Sequence, residues 1–380
     1  MSRAAGNLAS IRARQNGTTG AKVLESLRAG DPTTAGPFRL AGRLGHGAMG
    51  VVYLSHRSTR PVAVKVIRPH IAEDEYFRRR FALEVEAIRT VGGFHTAALV
   101  DADTDAAQPW VATQYIHAPT LLELIDQHGP VKELGAWWLA AGIADALTHI
   151  HSVRLLHRDL KPGNVLVAAD GVRLIDFGIS RVDSGVGLTT AGAALGTLAY
   201  MAPEQAADSR KSVEASDVYS LGATLVHAAT GHVPFYAELP VQRAQDVQPD
   251  LTGLPPELLD LVSHTLAFDA EDRPTAQSVA EEAMLRLQDF GVPQGSQAYP
   301  PLPDAFIDAV RIRQSTPLEA QLAALQTPRV TAATPLKPST IGMPDVLPPP
   351  VPVQEPEPGR WASRWRGQID DRRRDDYYGG

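Results

Sequence analysis

Residues 157–164 read His157-Arg158-Asp159-Leu160-Lys161-Pro162-Gly163-Asn164, and twelve positions beyond Asn164 stands Asp176-Phe177-Gly178. A carboxylate, a cation and an amide fall within one short loop, and Pro162-Gly163 enforces a turn between them. Between the two stretches, Val165-Leu166-Val167 and Val172-Arg173-Leu174-Ile175 flank Ala168-Ala169-Asp170-Gly171. That pattern predicts a β-hairpin turning at Asp170-Gly171, which carries Asp176 back to the loop. Together these groups meet the needs of phosphoryl transfer. Asp159 can orient a hydroxyl and accept its proton late, and Lys161 can stabilise a phosphoryl group in flight. Asn164 and Asp176 offer the oxygen donors that a hard cation such as Mg2+ selects. His157, beside Leu155 and Leu156, reads as a packed structural histidine rather than a base.

Upstream, Gly45-His46-Gly47-Ala48-Met49-Gly50 fits G-x-G-x-x-G. A dinucleotide-binding fold needs a helix directly after the third glycine. Here Val51-Val52-Tyr53-Leu54 follows, which is strand, so the glycines sit in a hairpin whose backbone can approach phosphates without a Cβ in the way. A P-loop is excluded, because no Gly-Lys-Ser/Thr follows. Phe38 to Leu44, Val51 to Leu54 and Val62 to Ile67 form a β-meander. On its third strand Lys65 points away from Val64 and Val66. Its ammonium needs an anionic partner if buried, and nucleotide phosphates or a carboxylate on the next helix can supply one. Residues 73–91 carry Phe77, Phe81, Val85 and Ile88 at helical spacing. Glu84 shares the face of Phe77, Phe81 and Ile88. Glu86 competes for the role but lies about 200° from Glu84 around the helix, so Glu84 is the expected partner of Lys65.

The rest of the chain bounds the reading. There are 380 residues, 44% hydrophobic, with net charge −7. That charge favours neither a general nucleic-acid binder nor an anionic-membrane binder. There is no cysteine, which excludes disulfides and thiolate chemistry and fits a reducing compartment. No apolar run reaches the roughly 18–20 residues of a membrane span, and the N-terminus lacks the apolar segment of a secretory signal. A cytoplasmic protein is expected. Residues 1–36 read as a flexible segment and residues 37–290 as the folded domain. Within it a β-rich part (about 37–116) precedes a mainly helical part (about 117–290), with helices expected at 120–127, 132–151, 216–230, 256–267 and 275–288. The fold class is therefore α+β. Fifteen of the 30 prolines lie between Pro293 and Pro358, so residues 291–380 read as a Pro-rich disordered tail, with room for a brief helix from Pro317 to Gln326.

With these elements in order, the chain resembles the eukaryotic-type protein kinases, and in particular the bacterial serine/threonine kinases of actinobacteria. The resemblance rests on Gly45, Gly47, Gly50, Val52, Val62 to Lys65, Glu84, His157 to Asn164, Asp176 to Gly178, Ala202-Pro203-Glu204, Asp217 and Arg273. It implies a two-lobe fold and the cofactors ATP and Mg2+ (or Mn2+). Lys65 would contact the α- and β-phosphates and pair with Glu84. Ala63 and Leu166 would sandwich the adenine, Gln114 to Ile116 would form the hinge, and Thr113 would be the gatekeeper. Glu204 would pair with Arg273, and Asp217 would hold the catalytic loop from below. Lys161, two residues after Asp159, matches the serine/threonine pattern rather than the tyrosine one. Thr197 would contact Asp159 and Lys161 and help select the acceptor.

The resemblance also implies control. Arg158 before Asp159 can pair with a phosphate on the segment from Asp176 to Glu204. Thr189 and Thr190 are the candidates, although relatives often carry two threonines separated by one residue and Ala191 stands at the other position here. Expected partners are protein substrates presenting Ser or Thr, a second copy for autophosphorylation, and phosphothreonine-binding modules recruited by Thr316-Pro317, Thr327-Pro328 or Thr334-Pro335, against the plainer reading of a linker. Two other functions compete. A non-catalytic nucleotide-binding scaffold would usually have lost a counterpart of Lys65, Asp159 or Asp176, and none is lost. A small-molecule kinase would lack the Ala-Pro-Glu segment, which is present.

Overall fold

A computed structural model of the chain describes residues 24–47, 49–57, 60–91, 95–176, 198–235, 248–292 and 301–318. The N-terminal part is a six-stranded antiparallel sheet in the order β1-β2-β3-β4-β6-β5. Its strands are β1 (Thr34–Ala35), β2 (Phe38–His46), β3 (Gly50–Arg57), β4 (Arg60–Ile67), β5 (Leu99–Asp103) and β6 (Trp110–Gln114). The period-2 pattern does what it predicts. Val62, Val64 and Val66 are buried with Phe38, Leu40, Tyr53, Trp110 and Ala112 in one apolar layer. Ala63 and Lys65 alternate with them and take the opposite face. Lys65 pairs in register with Val52 on one side and Val111 on the other.

After the short helix α1 (Pro69–Ala72), α2 (Glu75–Thr90) begins at Asp74, whose side chain accepts from the Tyr76 and Phe77 amides. That cap satisfies two of the four orphan donors of the first turn. Phe77, Phe81, Val85 and Ile88 are buried along its inner stripe. Arg78 fastens the outer side. Its guanidinium donates to the carbonyls of Ala72 (2.6 Å), Thr104 (3.3 Å), Ala106 (2.8 Å) and Ala107 (3.0 Å), the last three in the β5–β6 turn.

Beyond the sheet the chain is mostly helical, as expected. α3 (Leu121–His128) opens with a capping box in which Thr120 and Glu123 satisfy each other's amides. α4 (Glu133–Ser152) is apolar on nearly every side and runs through the centre of the larger core. The hairpin β7 (Val165–Ala168) and β8 (Gly171–Leu174) turns where Asp170-Gly171 predicted. α5 (Pro203–Ala207) precedes α6 (Glu214–Thr230), which stops at the left-handed Gly231 (φ 80°). α7 (Leu259–Thr265) and α8 (Ala276–Asp289) follow, and α8 packs along α4.

Two boundaries need correction. The flexible reading of residues 1–36 fails from Leu24 onward, because Leu24 is buried and Glu25 bridges Arg43. The Arg43 guanidinium donates to both Asp31 oxygens (2.7 and 2.6 Å), and the Tyr53 hydroxyl donates to one of them (2.8 Å). Those bonds, Arg43's first, hold the Asp31 carboxyl well below the usual range, while burial pushes the Tyr53 hydroxyl up to about 12. The disordered reading of residues 291–380 fails over α9 (Asp304–Ser315), which buries Phe306 and Val310. Its apolar residues give it a core face that the surrounding prolines concealed.

Candidate functional site

The loop of residues 157–164 is held in an unfavourable backbone geometry by one carboxylate. Arg158 and Asp176 both adopt left-handed φ values (61° and 58°), each costing about 1–3 kcal/mol. Asp217, almost fully buried on α6, accepts from the His157 amide (2.8 Å), the Arg158 amide (2.8 Å) and His151 Nε2 (2.9 Å). Gln205 clamps the other side by donating to the Arg158 carbonyl at 2.7 Å. His157 is fully buried, and burial pulls its pKa down, so the ring is neutral and structural, as its apolar neighbours suggested.

Within this frame the chemistry-bearing side chains converge. Lys161 Nζ lies 2.9 Å from Asp159 Oδ2. Asn164 Nδ2 donates to the Asp159 carbonyl (2.7 Å) and to Asp159 Oδ2 (3.0 Å). The Ile175 amide donates to the Asn164 carbonyl (3.0 Å), which ties the strand carrying Asp176 to the loop. Asp176 Oδ1 accepts from Lys65 Nζ at 3.2 Å. The five residues predicted from sequence thus fall into two contact sets, Asp159 with Lys161 and Asn164, and Asp176 with Lys65, tied by the Ile175–Asn164 backbone bond.

The partner of Lys65 is not the expected one. Glu84 lies inward, as helical spacing predicted, but its Oε1 accepts from Arg158 Nη1 at 2.9 Å. No ion pair joins Lys65 to Glu84 among the described residues. Only 16% of the Glu84 side chain is exposed. Burial raises its pKa to about 7, against the opposing field and hydrogen bond of Arg158 and the fields of Arg80 and Lys65. Arg158, expected to await a phosphate, is therefore engaged by a buried carboxylate. Glu86 instead pairs with Arg89 on the same helix.

The glycine-rich stretch lies where β2 turns into β3. Gly45 pairs with Val52, and the Gly47 amide donates to the Gly50 carbonyl at 2.9 Å. At Gly50 a Cβ would run into the Val66 carbonyl oxygen, so this approach of two strands requires glycine. Ala118, Leu166 and Ala168 form a separate small apolar cluster with Ile116 and Ile175. Thr113 stands opposite Ala63 in the sheet, and the Gln114 amide donates to Ala98. Below, Arg273 is fully buried and grips both Glu204 oxygens (2.8 and 3.0 Å) and the carbonyls of Ala215, Ala267 and Phe268. Burial pushes Glu204 up, but the bonds from Arg273 and Ser216 outweigh it and hold the carboxyl below its ordinary value. Gln205 and His151 were not singled out from the sequence. Gln205 directly follows the Ala-Pro-Glu stretch, which was its only signal. Thr189, Thr190 and Thr197 lie outside the described residues.

The protein kinase domain family matches residues 38–292, and the chain belongs to that family. Its relatives include the serine/threonine-protein kinase AfsK of Streptomyces coelicolor, 46% identical over 297 residues, which cover 77% of this chain and 37% of that protein. The AfsK of Streptomyces griseus is 52% identical over 252 residues, covering 65% and 31%. The probable serine/threonine-protein kinase PkwA of Thermomonospora curvata is 48% identical over 258 residues, covering 67% and 34%. The chain thus spans about a third of the length of these relatives. The crystal structure of the Mycobacterium tuberculosis PknI kinase domain superposes with a TM-score of 0.53 at 27% identity, covering 69% of this chain and 99% of that one. No helix among the described residues is long and apolar enough to cross a membrane.

Proposed function

We propose that this chain is a serine/threonine protein kinase that transfers the γ-phosphoryl group of ATP to Ser or Thr hydroxyls of proteins. The observation that carries the reading is a pair of linked contact sets: Lys161 and Asn164 on Asp159, and Lys65 on Asp176, joined by the Ile175 amide bond to the Asn164 carbonyl. Asp159 orients the acceptor hydroxyl and takes its proton late, and Lys161 stabilises the charge on the transferring group. Lys65 holds the α- and β-phosphates beneath Gly45, Gly47 and Gly50. Ala63, Val52 and Leu166 enclose the base, with Gln114 and Ile116 at the hinge and Thr113 behind it.

The residues present fit Mg2+. Asn164 turns its amide nitrogen to Asp159, which leaves its oxygen for a cation, and Asp176 supplies a carboxylate. Two protein oxygens, completed by phosphates and water, are the donor set Mg2+ prefers. The ion supplies charge neutralisation between phosphates when bound.

Regulation follows from the Arg158–Glu84 pair. A phosphate on Thr189 or Thr190 competes for Arg158 and frees Glu84 for Lys65, and Thr197 then completes acceptor selection. Autophosphorylation in a dimer, and phosphothreonine-binding modules on the Thr-Pro sites of the tail, complete the reading. ATP supply and the cysteine-free sequence suit a cytoplasmic setting. The test is incubation of the full chain with labelled Mg-ATP and phosphosite mapping by mass spectrometry. Wild type should label itself on Ser or Thr, with Lys65→Met and Asp159→Asn falling to background. Equal labelling of all three proteins, or none by wild type, sinks the proposal.

A further inference from the structure

Residues 301–318 lie beyond the family match at residue 292, yet they are built into the domain. Leu302, Phe306 and Val310 are buried, Phe306 completely. The Phe306 ring meets His128 of α3 at 6.0 Å, and the Pro301 carbonyl sits 3.3 Å from where a Cβ of Gly135 would be. On the same face of α9, two turns beyond Phe306, Arg313 Nη2 lies 3.3 Å from Glu123 Oε2. Arg313 is 22% exposed and Glu123 only 9%. The same Glu123 oxygen accepts the Thr120 amide at 3.0 Å, closing the cap of α3.

What Thr120 touches gives this contact a reach. Thr120 bridges Leu166, and the Val167 amide donates to the Pro119 carbonyl at 3.0 Å. Thr120 thus links the segment leaving residues 114–118 to the strand carrying Leu166. The positive charge of Arg313 is also felt at Tyr115, where it opposes the upward push of burial, and at His117, where it adds to the downward one.

We infer that Arg313 is a positioning residue for nucleotide binding: through Glu123 and Thr120 it fixes the chain between residues 114 and 120 against Leu166, so that α9 is part of the nucleotide-binding unit. This rests on the reading of residues 114–118 and Leu166 as the base pocket. A partly buried charge-assisted bond of this kind supports an effect of about three- to tenfold.

The experiment uses the full chain with Arg313→Met, Arg313→Lys and Arg311→Met, the last removing an exposed arginine that pairs with Asp308 of the same helix. Michaelis constants for ATP and kcat are measured together, and Mg-ADP affinity is measured by calorimetry. Arg313→Met should raise KM and the ADP dissociation constant together, with kcat within about twofold. Arg313→Lys should recover most of the loss, and Arg311→Met should match wild type. Wild-type nucleotide affinity in Arg313→Met, or a loss confined to kcat, overturns the inference. Phe306→Ala, which undocks α9, should reproduce the loss of affinity. If that variant does not fold, the Arg313 series decides alone. A chain that binds ADP but transfers no phosphate would refute the proposed activity while leaving this test readable.

Discussion

Glu84→Gln should make this protein more stable at alkaline pH and, above about pH 7, a worse catalyst. Glu84 titrates near 7 in the folded chain, against an ordinary value of 4.5, because burial outweighs Arg158, Arg80 and Lys65. Between those two values the folded state binds more protons than the unfolded state. Stability therefore falls as pH rises through this window and levels off above about 7. A displacement of about 2.5 units corresponds to about 3 kcal/mol at pH 8. Glutamine carries no charge to desolvate and keeps a carbonyl to accept from Arg158. At pH 5 it should resemble the protonated glutamate, and at pH 8 it should gain up to that full amount. In a domain of this size the gain amounts to roughly 6–10 °C in Tm. Thermal unfolding of both proteins at several pH values between 5 and 8 measures it. A Tm difference that is flat across this range, or that shrinks as pH rises, would refute the reasoning. Phosphotransfer should meanwhile drop at least about tenfold, because the glutamine can no longer form an ion pair with Lys65.

Two further outcomes follow from the frame beneath the site. Arg273→Ala strands the Glu204 carboxylate and three buried carbonyls, and should cost about 3–5 kcal/mol in urea unfolding. Arg273→Lys should recover little, because an ammonium cannot reproduce the two-pronged grip on Glu204. Asp217→Asn replaces one acceptor oxygen by a donor facing the His157 and Arg158 amides. It should lower kcat by roughly 100-fold through misplacement of Asp159, with a smaller change in KM for ATP. An unchanged kcat would show that the loop holds its strained backbone without Asp217.

Much of this architecture was legible because it depends on short-range pattern. Phe77, Phe81, Val85 and Ile88 announce a helix and its inner face, and both are present. Asp170-Gly171 announces the hairpin that delivers Asp176. The convergence of Asp159, Lys161 and Asn164 needed only six residues of chain. What escaped depends on groups distant in sequence. Helical spacing turned Glu84 inward but could not choose between Lys65 and Arg158, which approach it from different parts of the chain. Asp31 meets Arg43 and Tyr53 only after the strands have paired. The Leu302, Phe306 and Val310 stripe of α9 was submerged in a proline-rich composition, because composition averages over a window wider than one helix.

The grip of Arg78 on the β5–β6 turn has a mechanical consequence. It anchors the N-terminal end of α2, so the helix can move as a lever about that pivot rather than slide bodily. Glu84 lies six residues further on, about 9 Å along the axis. Shifting its carboxylate by some 3 Å, from one cation to another, then requires a tilt of about 20°. The Arg78 anchor thus sets the axis about which Glu84 swings, and the length of helix between them sets how far the carboxylate travels for a given tilt.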